Sequence, residues 1–138
     1  MSKPFLLFAV KCSVILYFAA CTSIENYTIA KSATPVVTKG VWKVDLYQDA
    51  NNDKTNDFAG YTFTFNISGN VKASKNGIEV NGNWVEDDIS KRITLNLNAK
   101  DPALAQLNNY WEITNVTGSQ VSLRNTTTAN TQLNIITL

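Results

Sequence analysis

The chain has 138 residues, 44% hydrophobic and 17% charged, with 12 basic and 11 acidic side chains. That suits one domain with one core, and so even a balance of charge leaves no basic field for nucleic acid. Histidine is absent, so the usual proton carrier near neutral pH and the commonest metal ligand are missing, zinc catalysis and the Ser-His and Cys-His nucleophiles fall away, and neither a cofactor nor an enzyme is expected.

Met1 to Ala20 reads MSKPFLLFAVKCSVILYFAA and matches nothing downstream. Lys3 gives a short positive start, and a Phe/Leu/Val/Ile-rich stretch follows, broken by Lys11. It is short for a membrane span, which takes roughly 20 apolar residues, and suits a signal peptide. The stretch ends Phe18-Ala19-Ala20-Cys21, which resembles a bacterial lipobox. Small residues before the cysteine admit a peptidase, and Cys21 becomes the lipidated N-terminus that ties the protein to a membrane. Cleavage near Ala20 without lipidation, or a retained anchor, are the alternatives. The only other cysteine is Cys12, which processing discards, so no disulfide is expected.

Residues 21–39 are Ser/Thr-rich, carry Pro35 and show no sustained apolar period, the composition of a flexible tether. From Gly40 onward the chain alternates with period two. Trp42, Val44 and Leu46 share one face of a first strand, with Lys43, Asp45 and Tyr47 on the other. Tyr61, Phe63 and Phe65 mark a second strand, and Ser68-Gly69-Asn70 turns into Val71 and Ala73. Asn76-Gly77 is a hairpin signal, followed by Ile78, Val80 and Trp84, with Gly82 expected as a bulge or bend. Ile93, Leu95 and Leu97 form the next strand. Asp101-Pro102-Ala103-Leu104 then reads as the capped start of one short helix. Strands resume at Trp111 and Ile113, at Val121 and Leu123, and at Leu133 and Ile135.

The expectation is all-β: about eight antiparallel strands closed into an up-and-down barrel over residues 40–138, which removes exposed edges. A two-sheet sandwich fits the same alternation.

Four groups of residues are weighed for chemistry. Asp49, Asn51, Asp53 and Asp57 space oxygen ligands as a calcium loop does, but Lys54 stands at the turn glycine's place and Gly60 at the closing glutamate's. A weak site at best is expected there, and a plain solvated loop is the simpler reading. Glu86-Asp87-Asp88 followed by Lys91-Arg92 reads as a solvated hairpin end. Asp45, Glu79 and Glu112 are the carboxylates from which a hydrolase pair would be drawn, with nothing to position them. The aromatics Tyr61, Phe63, Phe65, Trp84 and Trp111 are candidates to line an apolar site, or to be core.

Gly40-Val41-Trp42-Lys43-Val44, Phe58 to Phe65, Gly82-Asn83-Trp84 and Val121-Ser122-Leu123-Arg124 together resemble the small lipocalin-like domains of Gram-negative envelope lipoproteins. A second lipocalin stretch, T-D-x-x-Y, is absent. The resemblance implies that Trp42 plugs the closed end of the barrel and that Arg124 packs across its ring. It also implies a lipid-anchored outer-membrane protein, present as a single copy, that binds a small apolar or amphipathic molecule. The alternative is a filled barrel that contacts protein or glycan at the cell surface.

Overall fold

Period-two alternation gives each strand one apolar face, and a meander of such strands buries those faces by curling shut. The computed structural model describes residues 30–138; the expected signal peptide and Cys21 lie outside them. Along the chain come a helical turn α1 (Thr34–Val37), strands β1 (Trp42–Asp49) and β2 (Asn52–Asp53), and a 3₁₀ turn at Thr55–Phe58. Strands β3 (Thr62–Phe65), β4 (Asn70–Lys75), β5 (Ile78–Asp87) and β6 (Arg92–Leu97) follow. After the helical turn α2 (Pro102–Ala105), strands β7 (Tyr110–Val116), β8 (Gln120–Asn125) and β9 (Gln132–Thr137) complete the domain.

Leaving β2 aside, each strand pairs antiparallel with the next, from β1 with β3 through to β8 with β9, and β9 returns to β1 from Trp42↔Thr137 to Gln48↔Gln132. The result is a closed eight-stranded barrel, with β2 a two-residue appendage on β1. The sandwich alternative is thereby excluded. One end, called here the N-terminal end, carries the start of β1, the end of β9 and the turns at 66–69, 88–91 and 117–119. The opposite end carries the connections 50–61, 76–77, 98–109 and 126–131.

The helix expected at Asp101 forms as the sequence predicts. Asp101 accepts the Ala103 N–H at 2.8 Å and Pro102 sits in the first turn. Asn76 and Gly77 both take positive φ, 52° and 77°, the conformation a two-residue hairpin needs.

Three expectations fail. Register slips between Val44 and Leu46 on β1, and a bulge residue there reverses the alternation. Leu46 turns outward and Tyr47 becomes core, its ring edge-on to Phe58 at 5.0 Å and to Trp111 at 6.4 Å. Gly82 makes no bulge: β5 pairs continuously on both sides of it. It is needed because a Cβ there would lie 2.3 Å from the Asn96 carbonyl oxygen. Finally, part of the expected tether is folded. Ala33 and Val37 are fully buried on the N-terminal end of the barrel, so the domain begins before Gly40.

Candidate functional site

The barrel interior is filled. Its residual void is about 20 Å³, walled by apolar side chains that include Val37, Phe63, Phe65, Leu95, Leu123 and Ile135. That is the room of about one water, against roughly 300–1,000 Å³ for a small-molecule pocket. The aromatics expected as ligand lining are spread through this core. Phe63 and Phe65 border the void. Trp84 stands edge-on to Phe65 at 5.5 Å and donates its indole N–H to the Asn66 carbonyl at 2.9 Å. Trp111 donates to the Leu107 carbonyl at 3.0 Å. Tyr61 reaches a concave outer surface, and Trp84 also borders a smaller one beside Glu86.

Trp42 takes its expected inward place with no exposed surface. Its indole N–H has no acceptor among the described residues. Arg124 does not pack across it. Trp42 pairs with Thr137 at the N-terminal end, whereas Arg124 pairs with Gln132 and Glu112 toward the other end. The Arg124 side chain is 59% exposed and holds the Glu112 carboxylate at 2.6 Å on the barrel exterior. It sits one strand position from the inward Leu123, so its side chain belongs to the outer face.

At the opposite end the helix cap and the mouth of β3 meet. The Tyr61 hydroxyl donates to the Asp101 carboxylate at 2.5 Å, and the Lys75 ammonium lies 4.8 Å from the Tyr61 ring centroid. The hydrogen bond to Asp101, with burial and the carboxylate charge adding, pushes the Tyr61 phenol up to about 12. The Tyr61 hydroxyl, and then the Ala103 N–H, hold Asp101 below the usual carboxylate range. These residues form one wall of a groove of about 530 Å³. Asn76, Asn98 and Lys100 supply donors and acceptors, and Ile78 and Val80 supply apolar surface. A second trough of about 360 Å³ begins at Tyr61 and runs along the outside past Phe58, Thr62 and Val44 to Leu138. It follows the seam where β1 and β3 share one residue pair, Trp42↔Phe63. The donors and apolar strips along this path suit a polymer or protein segment more than an enclosed small molecule.

At the N-terminal end the sequence reading missed a polar latch. Glu86, expected in a solvated hairpin, accepts from the Ser32 hydroxyl at 3.1 Å, the Ala33 N–H at 2.8 Å, and the Thr34 N–H and hydroxyl at 2.7 and 2.5 Å. Burial raises its pKa, but the donors from Thr34, Ala33 and Ser32 outweigh it and leave the carboxyl below its usual value. No local pattern around Glu86 signals this, because its partners lie more than 50 residues upstream.

The Asp49–Asp57 loop spends its oxygens locally. Asp49 pairs with Lys54 at 2.6 Å and Asp53 accepts the Thr55 N–H at 2.9 Å. Among the described residues no three acidic groups gather as a metal site would need. Asp45, Glu79 and Glu112 sit on β1, β5 and β7, three strands that are not neighbours. Glu79 is paired with Lys72 at 2.9 Å and Glu112 with Arg124, so the structure brings together no carboxylate pair from this set.

No family model and no curated protein matches this chain. Two solved structures do resemble it. One is a DUF4847 family protein from Bacteroides vulgatus, 14% identical, with a TM-score of 0.57 over 76% of this chain and 96% of the other. The second is a lipocalin-like protein from Bacteroides uniformis, 16% identical, with a TM-score of 0.54 over 73% of this chain and 98% of the other. At such identity the likeness speaks for fold alone. This chain has a lipocalin-like fold.

Proposed function

We propose that this protein is a lipid-anchored envelope component whose filled, lipocalin-like barrel binds protein or glycan on its outer surface, without catalysis. The observation that carries this reading is the interior: a void of about 20 Å³ leaves no room for a ligand of the kind lipocalin-like barrels suggest. The outer groove at Tyr61, about 530 Å³ with Lys75, Lys100 and two asparagine amides, offers the donors that an acidic peptide or a sugar would use. Anchoring rests on the lipobox-like Phe18-Ala19-Ala20-Cys21, and it suits the outer membrane.

Two measurements test the reading. Metabolic labelling with palmitate should mark the wild-type protein and not Cys21→Ala, and the lipid-free variant should leave the membrane fraction. A fluorescent fatty acid, cis-parinaric acid, should show no saturable binding to the folded protein. Saturable binding that is abolished by Ala73→Leu, a substitution that adds bulk inside the barrel, would restore the internal-ligand function and overturn the filled-module reading.

A further inference from the structure

Of the seven large apolar side chains left exposed among the described residues, five stand at the N-terminal end: Val41, Ile67, Val85, Ile89 and Leu138. Ile89 is 96% exposed and Ile67 74%, each in a turn between strands. These turns are built, not slack. Asp87 accepts the Ile89 and Ser90 N–H groups at 2.9 and 3.2 Å, and Asn66 accepts the Ser68 N–H at 2.9 Å. Ile67 and Val85 share a depression of about 290 Å³ with Trp84, Glu86 and Thr34. Exposed Lys31, Lys39 and Arg92 stand at the same end. Of the acidic groups there, Glu86 is used by the latch and Asp87 by its turn, while Asp88 lies 3.8 Å from Lys91. Apolar tips on rigid turns with cations around them are what an anionic lipid surface takes.

The position of the chain selects that partner. Glu86 fixes Ser32 to Thr34 at this end, so the chain arriving from Cys21 reaches the barrel here. Nine peptide steps separate Cys21 from Ala30, a reach of at most about 30 Å even when extended. A leaflet holding Cys21 is therefore held near the end that carries the apolar tips. We propose that the N-terminal end of the barrel docks on the membrane that anchors the chain, with Ile67, Val85 and Ile89 in the lipid interface. The groove at Tyr61, on the opposite end, then faces away from the bilayer. This inference rests on the lipid-anchoring reading.

The test uses the full-length, processed protein in vesicles of phosphatidylethanolamine and phosphatidylglycerol. Cys21 is blocked by its lipid, so one introduced cysteine is the sole free thiol. An NBD label on Ile67→Cys or Ile89→Cys should be blue-shifted, quenched several-fold more by nitroxides on the acyl chains than a label on Asn76→Cys, and shielded from iodide. A label on Val85→Cys should lose that shielding when Ile67→Asp and Ile89→Asp are added. If the protein floats with vesicles but positions 67, 89 and 76 behave alike, docking is wrong and anchoring stands. Shielding from iodide without nitroxide quenching would place a protein there instead and also overturn docking. If the protein does not float, the anchoring reading itself fails, and docking with it.

Discussion

The carboxylate of Glu86 takes both the backbone N–H and the hydroxyl of Thr34, 52 residues upstream, at 2.7 and 2.5 Å. With Ser32 and the Ala33 N–H added, it is the polar counterpart of the buried Ala33–Val37 contact. Neither alone would hold so short a helical turn, because an isolated turn of four residues does not persist in water.

Glu86→Gln should loosen this turn. An amide presents one acceptor and a competing donor to the same N–H and hydroxyl groups, and charge-assisted bonds weaken to neutral ones. The expected loss is about 1–2 kcal/mol, the low side for a charged acceptor because the group is half-buried. The folded carboxyl titrates below its ordinary 4.5, so its contribution is whole above that value and fades as pH falls through the folded pKa. The gap in denaturation midpoint between wild type and Glu86→Gln should therefore be widest near neutrality and close on acidification. A gap that stays constant down to pH 3 would show that the latch adds nothing through its charge.

Gly82→Ala should be costly although alanine suits a strand as well as glycine does. The added methyl would sit 2.3 Å from the Asn96 carbonyl oxygen and 2.6 Å from the Leu97 Cα, both backbone atoms that cannot swing aside. A loss of about 1–3 kcal/mol is expected from such overpacking. Gly118→Ala, with nothing within 4 Å, is the control and should leave the midpoint in place.

Trp42 and Arg124 should behave as unrelated residues. Trp42→Ala removes a fully buried ring and should cost about 3–5 kcal/mol. Trp42→Phe should cost much less, since it also deletes an indole N–H without an acceptor. Arg124→Ala breaks only an exposed ion pair and should shift stability by less than about 1 kcal/mol. A double-mutant cycle between positions 42 and 124 should give no coupling; measurable coupling would reinstate the packed pair.

Tyr47 and Tyr61 both titrate at about 12, for different reasons. Burial acts first on Tyr47, with Asp49 and Asp57 adding, whereas the bond to Asp101 acts first on Tyr61. Asp101→Asn should lower the Tyr61 value and leave that of Tyr47 unchanged, as followed by NMR of the labelled ring carbons. Equal movement of both would mean that the whole end of the barrel rearranges. In the wild type, the stability that the Tyr61–Asp101 bond adds is present below the ordinary phenol pKa of 10.0 and lost as pH rises through the folded value.

The strands were legible because one face of each is buried, and burial writes period two into the sequence. Ile93, Leu95 and Leu97 face inward as read, and so do Val121, Leu123, Leu133 and Ile135. Tyr47 was misread because a bulge is a matter of pairing between β1 and β9, and the local sequence carries no mark of it. Thr34-Pro35-Val36-Val37 resembled a tether for a similar reason: its partners lie in other parts of the chain. At the groove, Asp101 was legible as a helix cap, but its second role as acceptor for Tyr61 depends on the tertiary placement of β3. The filling of the barrel depends on summed side-chain volume against strand number, which alternation alone does not reveal.

The pairing of β1 with β9 also shapes how the chain must fold. Trp42 meets Thr137 across nearly the whole length of the domain, while every other ladder but β1–β3 joins strands linked by a turn or a short connection. Local hairpins such as 70–87 can form within microseconds, but the last ladder must bring together the two ends of a loop of almost a hundred residues. Such long-range closure slows the search to milliseconds or longer. Until it happens, β1 and β9 each present an unpaired edge, so the interval before closure is when a neighbouring chain could add a strand.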